Sequence, residues 1–447
     1  MESQIKTISY PNGEMQRVHL VRPDSWNDVD FLNLRYQEPA MECFHRVYRQ
    51  FLVPACPWLF GQMVMFCLPE DVEVPFPLDT AKYGKVSQRL TAAAAALEQG
   101  VSLVGTKPRF RNETVKAFWQ ELEKRDCLKI VRGKLPVTTV IPVGPFPGFL
   151  TRTEEDARMK VNASFFVMDR FDCSTLYDHV GTPLGLCVKD RVVTNPPLYR
   201  REALLVKKDG TVRVEIPDLE QMDIEIGGIR YRHGVNATLY SRPRYARTPP
   251  RKGKKLILVG TEVVAVYEGL SAYVPTSGTV LCPDGPCEAK PGDKVVYHGF
   301  GDVVFGIQVG NSIVRNGEKV LSFQSKYYNI RHLESVPFPP SLYPLDYDHA
   351  RAARIALGAD RDGKPMVLWA EGAGKLHYTK GADSCGASLR EMAEICSQLG
   401  MVNGVNLDGG GSAQILVNNR RSLLISDRKA EDNAESERPV PNALIVR

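Results

Sequence analysis

The chain lacks an uninterrupted apolar run long enough to cross a bilayer. Its nearest approach, "FLVPACPWLFGQMVMFCL" at 51–68, carries no charge but is broken by Pro54, Pro57 and Gln62. It reads as a buried core segment, which predicts no membrane span. The start, "MESQIKTISYPNGEMQRVHL", shows no basic-then-apolar layout of a secretory leader. Regular cysteine spacing is absent too: ten cysteines are scattered through 447 residues, which excludes a small disulfide scaffold. These absences together favour a reduced, cytoplasmic protein. Cys282 and Cys287, which flank "PDGP", keep open a bridge across a turn in an exported form.

Other absences narrow the function. No His/Cys/carboxylate spacing specifies a metal site, so the residues themselves call for no metal and no cofactor. No internal repeat is present, which argues against a solenoid or propeller. Excess positive charge is small: Lys plus Arg number 57 against 52 Asp plus Glu, a net +5 with a sequence pI near 8.6. That is far from the charge density of a nucleic-acid binder, and no nucleic-acid partner is expected. The basic stretch "SRPRYARTPPRKGKK" (241–255) interleaves one aromatic, Tyr245, and reads as a solvated loop able to steer an anionic substrate.

What is present is a globular composition, 43% hydrophobic and 24% charged. "SQRLTAAAAALEQG" (87–100) and "ETVKAFWQELEKRD" (113–126) read as helices. "TTVIPVGPFPGFL" (138–150) is a Pro/Gly-rich connection, and a boundary after it separates an N-terminal accessory region, 1–150, from a second domain, 151–447. From Met159 onward, short strand-like segments alternate with turns. "SLREMAEICSQLG" then aligns Leu389, Met392, Ala393, Cys396 and Leu399 on one helical stripe. Ser388 and Glu391 have capping-box spacing, and Gly400 sits where a helix-terminating glycine belongs. The expected fold class is α+β: a mixed, mostly antiparallel sheet with a few packed helices.

The most informative block is "GVNLDGGGSAQILVNN", 404–419. Three consecutive glycines permit either a tight hairpin or a loop whose bare N–H groups converge on an anion. A P-loop is excluded, because no lysine follows the glycines and the chain continues as a strand. Asp408 precedes the glycines directly, Asn406 lies two residues earlier on the same face, and Ser412 follows at once. A carboxylate, a carboxamide, N–H groups and a hydroxyl thus cluster where a plain hairpin requires none of them.

This block resembles the signature of the phosphodiester glycosidases. The resemblance runs in order from about Met159 to the C-terminus: "VNASFF" (161–166), "TPLGLCV", "GVNATLY" with Thr248, "RIALG" (354–358), "GASLREMAEICSQLG", the glycine block, and "ERPVPNALIV" (437–446). It departs from the family pattern at Ala163 and Ser164, where two glycines are usual, and at Ile355, where threonine is usual. The 151–447 region is then expected to be the catalytic domain. The resemblance implies a hydrolase that cleaves the sugar C1–O–phosphate bond of a sugar-1-phosphodiester, of the N-acetylglucosamine-1-phosphodiester kind.

Such a reaction needs charge stabilisation at phosphate and a carboxylate near C1. Asp408 is the choice for the carboxylate, with local turn stabilisation as the rival role. Arg354 is the choice for a bidentate phosphate clamp, with a structural ion pair as its rival. Gly409, Gly410, Gly411 and Ser412 complete the cradle, Asn406, Asn162 and Asn236 are sugar-binding candidates, and Glu371 is a candidate second carboxylate. A divalent cation held by Asp408 and phosphate oxygens is compatible with this set. The competing readings are a non-catalytic binder of phosphorylated glycans, motivated by the three departures, and an envelope polysaccharide-associated protein.

Overall fold

The computed structural model describes residues 1–34, 63–66, 101–104, 107–124, 128–131, 139–141, 148–153, 155–167, 177, 181–198, 201–242, 244–320, 350–373, 378–427 and 434–447. The helix expected over 87–100 and the apolar segment 51–68, apart from a strand at Met63–Phe66, lie outside them. So do His349 and His377, which no sequence pattern singles out.

Strands dominate the described residues, where two α-helices, Glu113–Lys124 and Leu389–Gln398, are found. The architecture is therefore mostly β, a correction to the expected α+β mixture. The cause is visible in the strand pairing: segments such as Lys255–Val259 and Gly278–Pro283 build antiparallel sheets of their own, without helical crossovers.

Two sheets carry the region that matters. The first has seven strands, in the order Glu2–Ser9, Met15–Arg22, Pro365–Ala370, Arg354–Ala359, Asn403–Asn406, Ser312–Arg315 and Glu318–Lys319. The second has five: Val29–Asn33, Asn442–Val446, Met159–Asn162, Ile415–Val417 and Arg420–Arg421. Residues 1–33, assigned by sequence to an accessory region, are thus sheet partners of strands beyond 150: Leu20 stands opposite Leu368 and Phe31 opposite Leu444.

The main core fills the space between these sheets, with Ile355, Leu357, Trp369 and Val405 from one and Val161, Ile415, Leu444 and Val446 from the other. The opposite face of the seven-stranded sheet is covered by the Leu389–Gln398 helix through Met392, Ala393 and Cys396 against Ala356, Leu368 and Ala370. Burial on both faces explains why "RIALGA" and "PMVLWA" are apolar throughout instead of alternating. The helix begins as its sequence indicates. Ser388 Oγ accepts the Glu391 N–H at 3.2 Å, the Glu391 carboxylate accepts the Ser388 N–H at 2.8 Å, and Gly400 takes φ +93°. A second core, including Leu186, Ile224, Leu239, Leu256 and Leu281, lies under the strands between 187 and 303.

The 241–255 stretch is less solvated than its composition suggests. Arg242 and Lys255 are buried, with Arg242 Nε donating to Val274 O at 3.0 Å and Lys255 Nζ to the carbonyls of Arg251, Gly253 and Gly269. Arg251 pairs with Asp284 at 2.7 Å. Buried ammonium and guanidinium groups find carbonyl partners, and the exposed remainder is Arg244, Arg247 and Lys252. Cys282 and Cys287 are both buried free thiols.

Candidate active site

The glycine block is not a hairpin. Asn403–Asn406 belongs to the seven-stranded sheet, while Ile415–Val417 belongs to the five-stranded sheet. The loop between them passes from one layer of the sandwich to the other, and Gly410–Ser412 make a single 3-10 turn on the way.

Each glycine answers a different constraint. A Cβ on Gly409 would lie 2.8 Å from the Ala353 carbonyl oxygen. Gly410 has φ +60°, the left-handed region that side chains disfavour. A Cβ on Gly411 would fall 2.1 Å from Arg438 Nη2 and 2.2 Å from Asp427 Oδ2. The Gly410 N–H donates to Ala353 O at 2.8 Å, so this N–H is committed to the neighbouring strand.

Asp408 stands at the lip of the turn. Antiparallel pairing places Ala356 opposite Asn406, and the Leu407 N–H donates to Ile355 O at 2.8 Å, so the register carries on to set Arg354 opposite Asp408. The Asp408 N–H donates to Ala163 O at 3.1 Å. Asn162 locks the loop from below: its Nδ2 donates to Asp408 O at 2.8 Å and its Oδ1 accepts the Gln414 N–H at 2.9 Å. One side chain thereby ties the start of the loop to its end, which is a positioning role.

Asp408 as a residue is 7% exposed. Burial pushes its pKa up to about 6, against the pull of a Ser412 hydrogen bond, the Arg438 charge and the Gly409 N–H. Its Oδ2 is buried and meets no hydrogen-bond partner among the described residues; the same holds for Asn406 Oδ1, two residues earlier on the same strand face. Asn406 Nδ2 donates to Leu407 O at 2.8 Å. Two acceptor oxygens are therefore left without donors among the described residues, a costly arrangement unless a ligand or proton completes it.

The cation beside Asp408 is one that the sequence reading did not single out. Arg438, 8% exposed, donates from Nε at 3.0 Å and from Nη2 at 2.8 Å to Asp427 Oδ2, and from Nη1 to Ser412 Oγ at 3.4 Å. A relay thus runs from the Asp427–Arg438 pair through Ser412 to Asp408. "ERPVPNALIV" contained Arg438 but read only as the closing strand, and nothing in "ISDRK" marks Asp427.

The other candidates are distributed as follows. Arg354, 6% exposed, donates from Nε to Ala387 O at 3.0 Å and from Nη2 to Ala350 O at 2.8 Å, so its guanidinium also braces the segment before the helix. Glu371, 2% exposed, pairs with Arg17 Nε at 2.6 Å through Oε2, which also accepts the Ser384 hydroxyl; its Oε1 accepts the Leu424 N–H at 2.8 Å. Asn236 is exposed in a turn of the second core region, where Oδ1 accepts the Arg232 N–H and Nδ2 donates to Arg230 O, each at 2.8 Å. Neither of these two bonds reaches the glycine loop.

The departures from the family pattern fall on packing positions. Ser164 Oγ accepts Asn442 Nδ2 at 2.9 Å and lies 3.7 Å from Cys187 Sγ, while the Ala163 N–H donates to Asn442 O at 3.3 Å. Ile355 is fully buried in the main core. Among the described residues no cluster of His, Cys, Asp and Glu is suited to a metal ion, and no helix is long and apolar enough to cross a membrane.

The phosphodiester glycosidase family model matches residues 155–447, and the chain belongs to that family. Among curated proteins, the chain is 34% identical over 95 residues to N-acetylglucosamine-1-phosphodiester alpha-N-acetylglucosaminidase of Mus musculus. That match covers 21% of this chain and 17% of the relative, a small part of either. Two solved structures are similar over the whole of this chain. A hypothetical protein from Synechocystis gives 17% identity and a TM-score of 0.41, over 62% of its own chain. The zebrafish N-acetylglucosamine-1-phosphodiester alpha-N-acetylglucosaminidase catalytic domain, auto-inhibited by its pro-peptide, gives 14% and 0.37, over 82%.

Proposed function

We propose that the chain hydrolyses the C1–O bond of a sugar-1-phosphodiester, with Asp408 as the carboxylate that faces C1. Water adds to C1, the C1–O bond breaks, and the phosphate leaves as a monoester. Because that leaving group departs as a stable anion, protonation of the bridging oxygen matters less than in an ordinary glycoside. The observation that carries this reading is the buried Asp408 carboxyl, with Oδ2 unpartnered among the described residues and its pKa raised to about 6. Such a group passes between acid and base near neutrality, as general acid–base or nucleophilic chemistry requires.

In this reading, Arg438 and Ser412 hold the carboxylate and Asn162 fixes the loop. Arg354 and the Gly409–Ser412 turn supply positive potential toward the phosphate, and Asn406 Oδ1 accepts a sugar hydroxyl. Family membership supports the reaction class. The acetylglucosamine specificity of the relatives is carried to this chain as part of the proposal. Release of free sugar from N-acetylglucosamine- and glucose-1-phosphodiesters tests it, with Asp408→Asn as control. Turnover is expected in the wild type and a loss of about 100-fold or more in the variant. No release across the panel sinks the proposal.

A further inference from the structure

One buried imidazole stands between two exposed serines. His19 is 2% exposed and lies in the Met15–Arg22 strand, opposite Ile5 on one side and Trp369 on the other. Ser3 belongs to the edge strand Glu2–Ser9, two residues from Ile5 and on the same face. Ser422 follows the Arg420–Arg421 strand, so the imidazole ties the seven-stranded sheet to a segment leaving the five-stranded one. Both serines are exposed.

The two bonds are short. His19 Nε2 lies 2.6 Å from Ser3 Oγ, and Nδ1 lies 2.6 Å from Ser422 Oγ. Burial pushes the His19 pKa below its usual 6.5, so the ring is neutral at pH 7 and carries one N–H. It therefore donates to one hydroxyl and accepts a hydrogen bond from the other. The hydroxyl that donates has a base in line with it, while the other holds the ring in place. A nucleophile, a base within hydrogen-bond reach and a third group orienting the base are the parts of an activated serine.

The surroundings select the electrophile. Ile5 and Leu424 stand two residues from Ser3 and Ser422 respectively, and these aliphatic side chains are 50% and 46% exposed. The Leu424 N–H donates to Glu371 Oε1 at 2.8 Å, which anchors the segment that carries Ser422. Aliphatic groups beside a hydroxyl–imidazole pair favour a short uncharged acyl chain over a charged donor.

We propose that Ser3, His19 and Ser422 form an acyl-acceptor site, where one of the two serines takes an acyl group from an activated ester. The serine oxygen bonds to the carbonyl carbon, and its proton passes to His19. The ester C–O bond then breaks, and the departing alkoxide takes that proton from His19. An acyl-serine and a free alcohol result, with the imidazole neutral again. None of these groups belongs to the Asp408 site, so the inference does not depend on the phosphodiester reading.

Incubation of the full chain with p-nitrophenyl butyrate, followed by tandem mass mapping of the adduct, tests it. Ser3 or Ser422 is expected to acylate about tenfold or more faster than Ser9, an exposed serine of the same edge strand. Which of the two is labelled identifies the imidazole tautomer. His19→Gln, which keeps a donor and an acceptor but no base, brings the rate down to that of Ser9. Replacing the unlabelled serine of the pair by alanine slows labelling of the other severalfold, because the ring loses its second anchor. That surface variant decides the matter if His19→Gln does not fold. Asp408→Asn leaves the labelling unchanged, whatever it does to sugar release. Wild-type labelling no faster than at Ser9, or a rate unaltered by the partner-serine and His19 variants, overturns the site.

Discussion

Asp408 and Glu371 are two buried carboxylates that the sequence offered for the same chemistry, and their surroundings are opposites. Around Glu371, one oxygen meets the Arg17 guanidinium and the Ser384 hydroxyl while the other accepts the Leu424 N–H. Its carbonyl accepts Gln16 Nε2 at 2.7 Å as well. Asp408 has Ser412, Gly409 and the Arg438 charge on its favourable side, and on the other an oxygen that no donor among the described residues answers. A saturated carboxylate fastens strands together; an undersaturated one is held ready for a donor that none of the described residues supplies.

Four experiments press on that contrast. The largest effect is expected from Asp408→Asn, with sugar release down by about 100-fold or more while the protein stays folded. Its stability should respond to pH with a definite sign. The folded-state pKa of Asp408 lies above its ordinary 3.8, at about 6, so the native state binds the extra proton in that window. The contribution to stability is therefore present at low pH and is lost as pH rises from near 4 through about 6. At pH 8 the buried charge costs on the order of 3 kcal/mol. Asp408→Asn should accordingly raise Tm relative to wild type at pH 8 and change it less at pH 4. A lower Tm at both pH values contradicts a burial-strained carboxylate.

Next in size is Gly411→Ala, whose Cβ intrudes on the Asp427–Arg438 pair. Loss of both activity and a few kcal/mol of stability is expected, measured by sugar release and denaturant titration. Glu371→Gln should show the reverse of Asp408→Asn. It leaves a half-paired Arg17, with a fall in stability of about 1–3 kcal/mol, and little change in kcat for the molecules that remain folded. A kcat loss as large as that of Asp408→Asn erases the distinction between the two acids. The smallest effect is the pH profile of kcat/KM, which should rise through about pH 6 as Asp408 ionises. A profile flat from pH 5 to 8 argues against Asp408 as the titrating group.

Much of the candidate site was legible because its signals are local. "LDGGGS" marks an unusual loop wherever it occurs, and the S-x-x-E box with Gly400 bounded the helix well. What stayed hidden depended on partners distant in sequence. Three glycines specify a sharp change of direction but not which sheet the chain enters next, so a crossover reads like a hairpin. Glu371 follows an apolar strand as a catalytic acid might be written, yet its partner Arg17 lies 354 residues earlier. Arg438 carries no local mark; its place under the glycine turn is set by Asp427 and by the absence of a Cβ at Gly411. The helical share was overestimated for a related reason, since short apolar segments do not declare that they will pair only with each other.

The Asn442–Val446 strand has a consequence for synthesis. It lies inside its sheet, with Val29–Asn33 on one side and Met159–Asn162 on the other. On the ribosome, both neighbours emerge hundreds of residues before the strand that joins them. The Val29–Asn33 segment must wait for its partner until residues 442–446 have been made, so the layer beneath Asp408 is completed late in synthesis. Until the Asn442–Val446 strand arrives, a nascent chain of this kind is exposed to edge-to-edge pairing, and that one strand sets how long the exposure lasts.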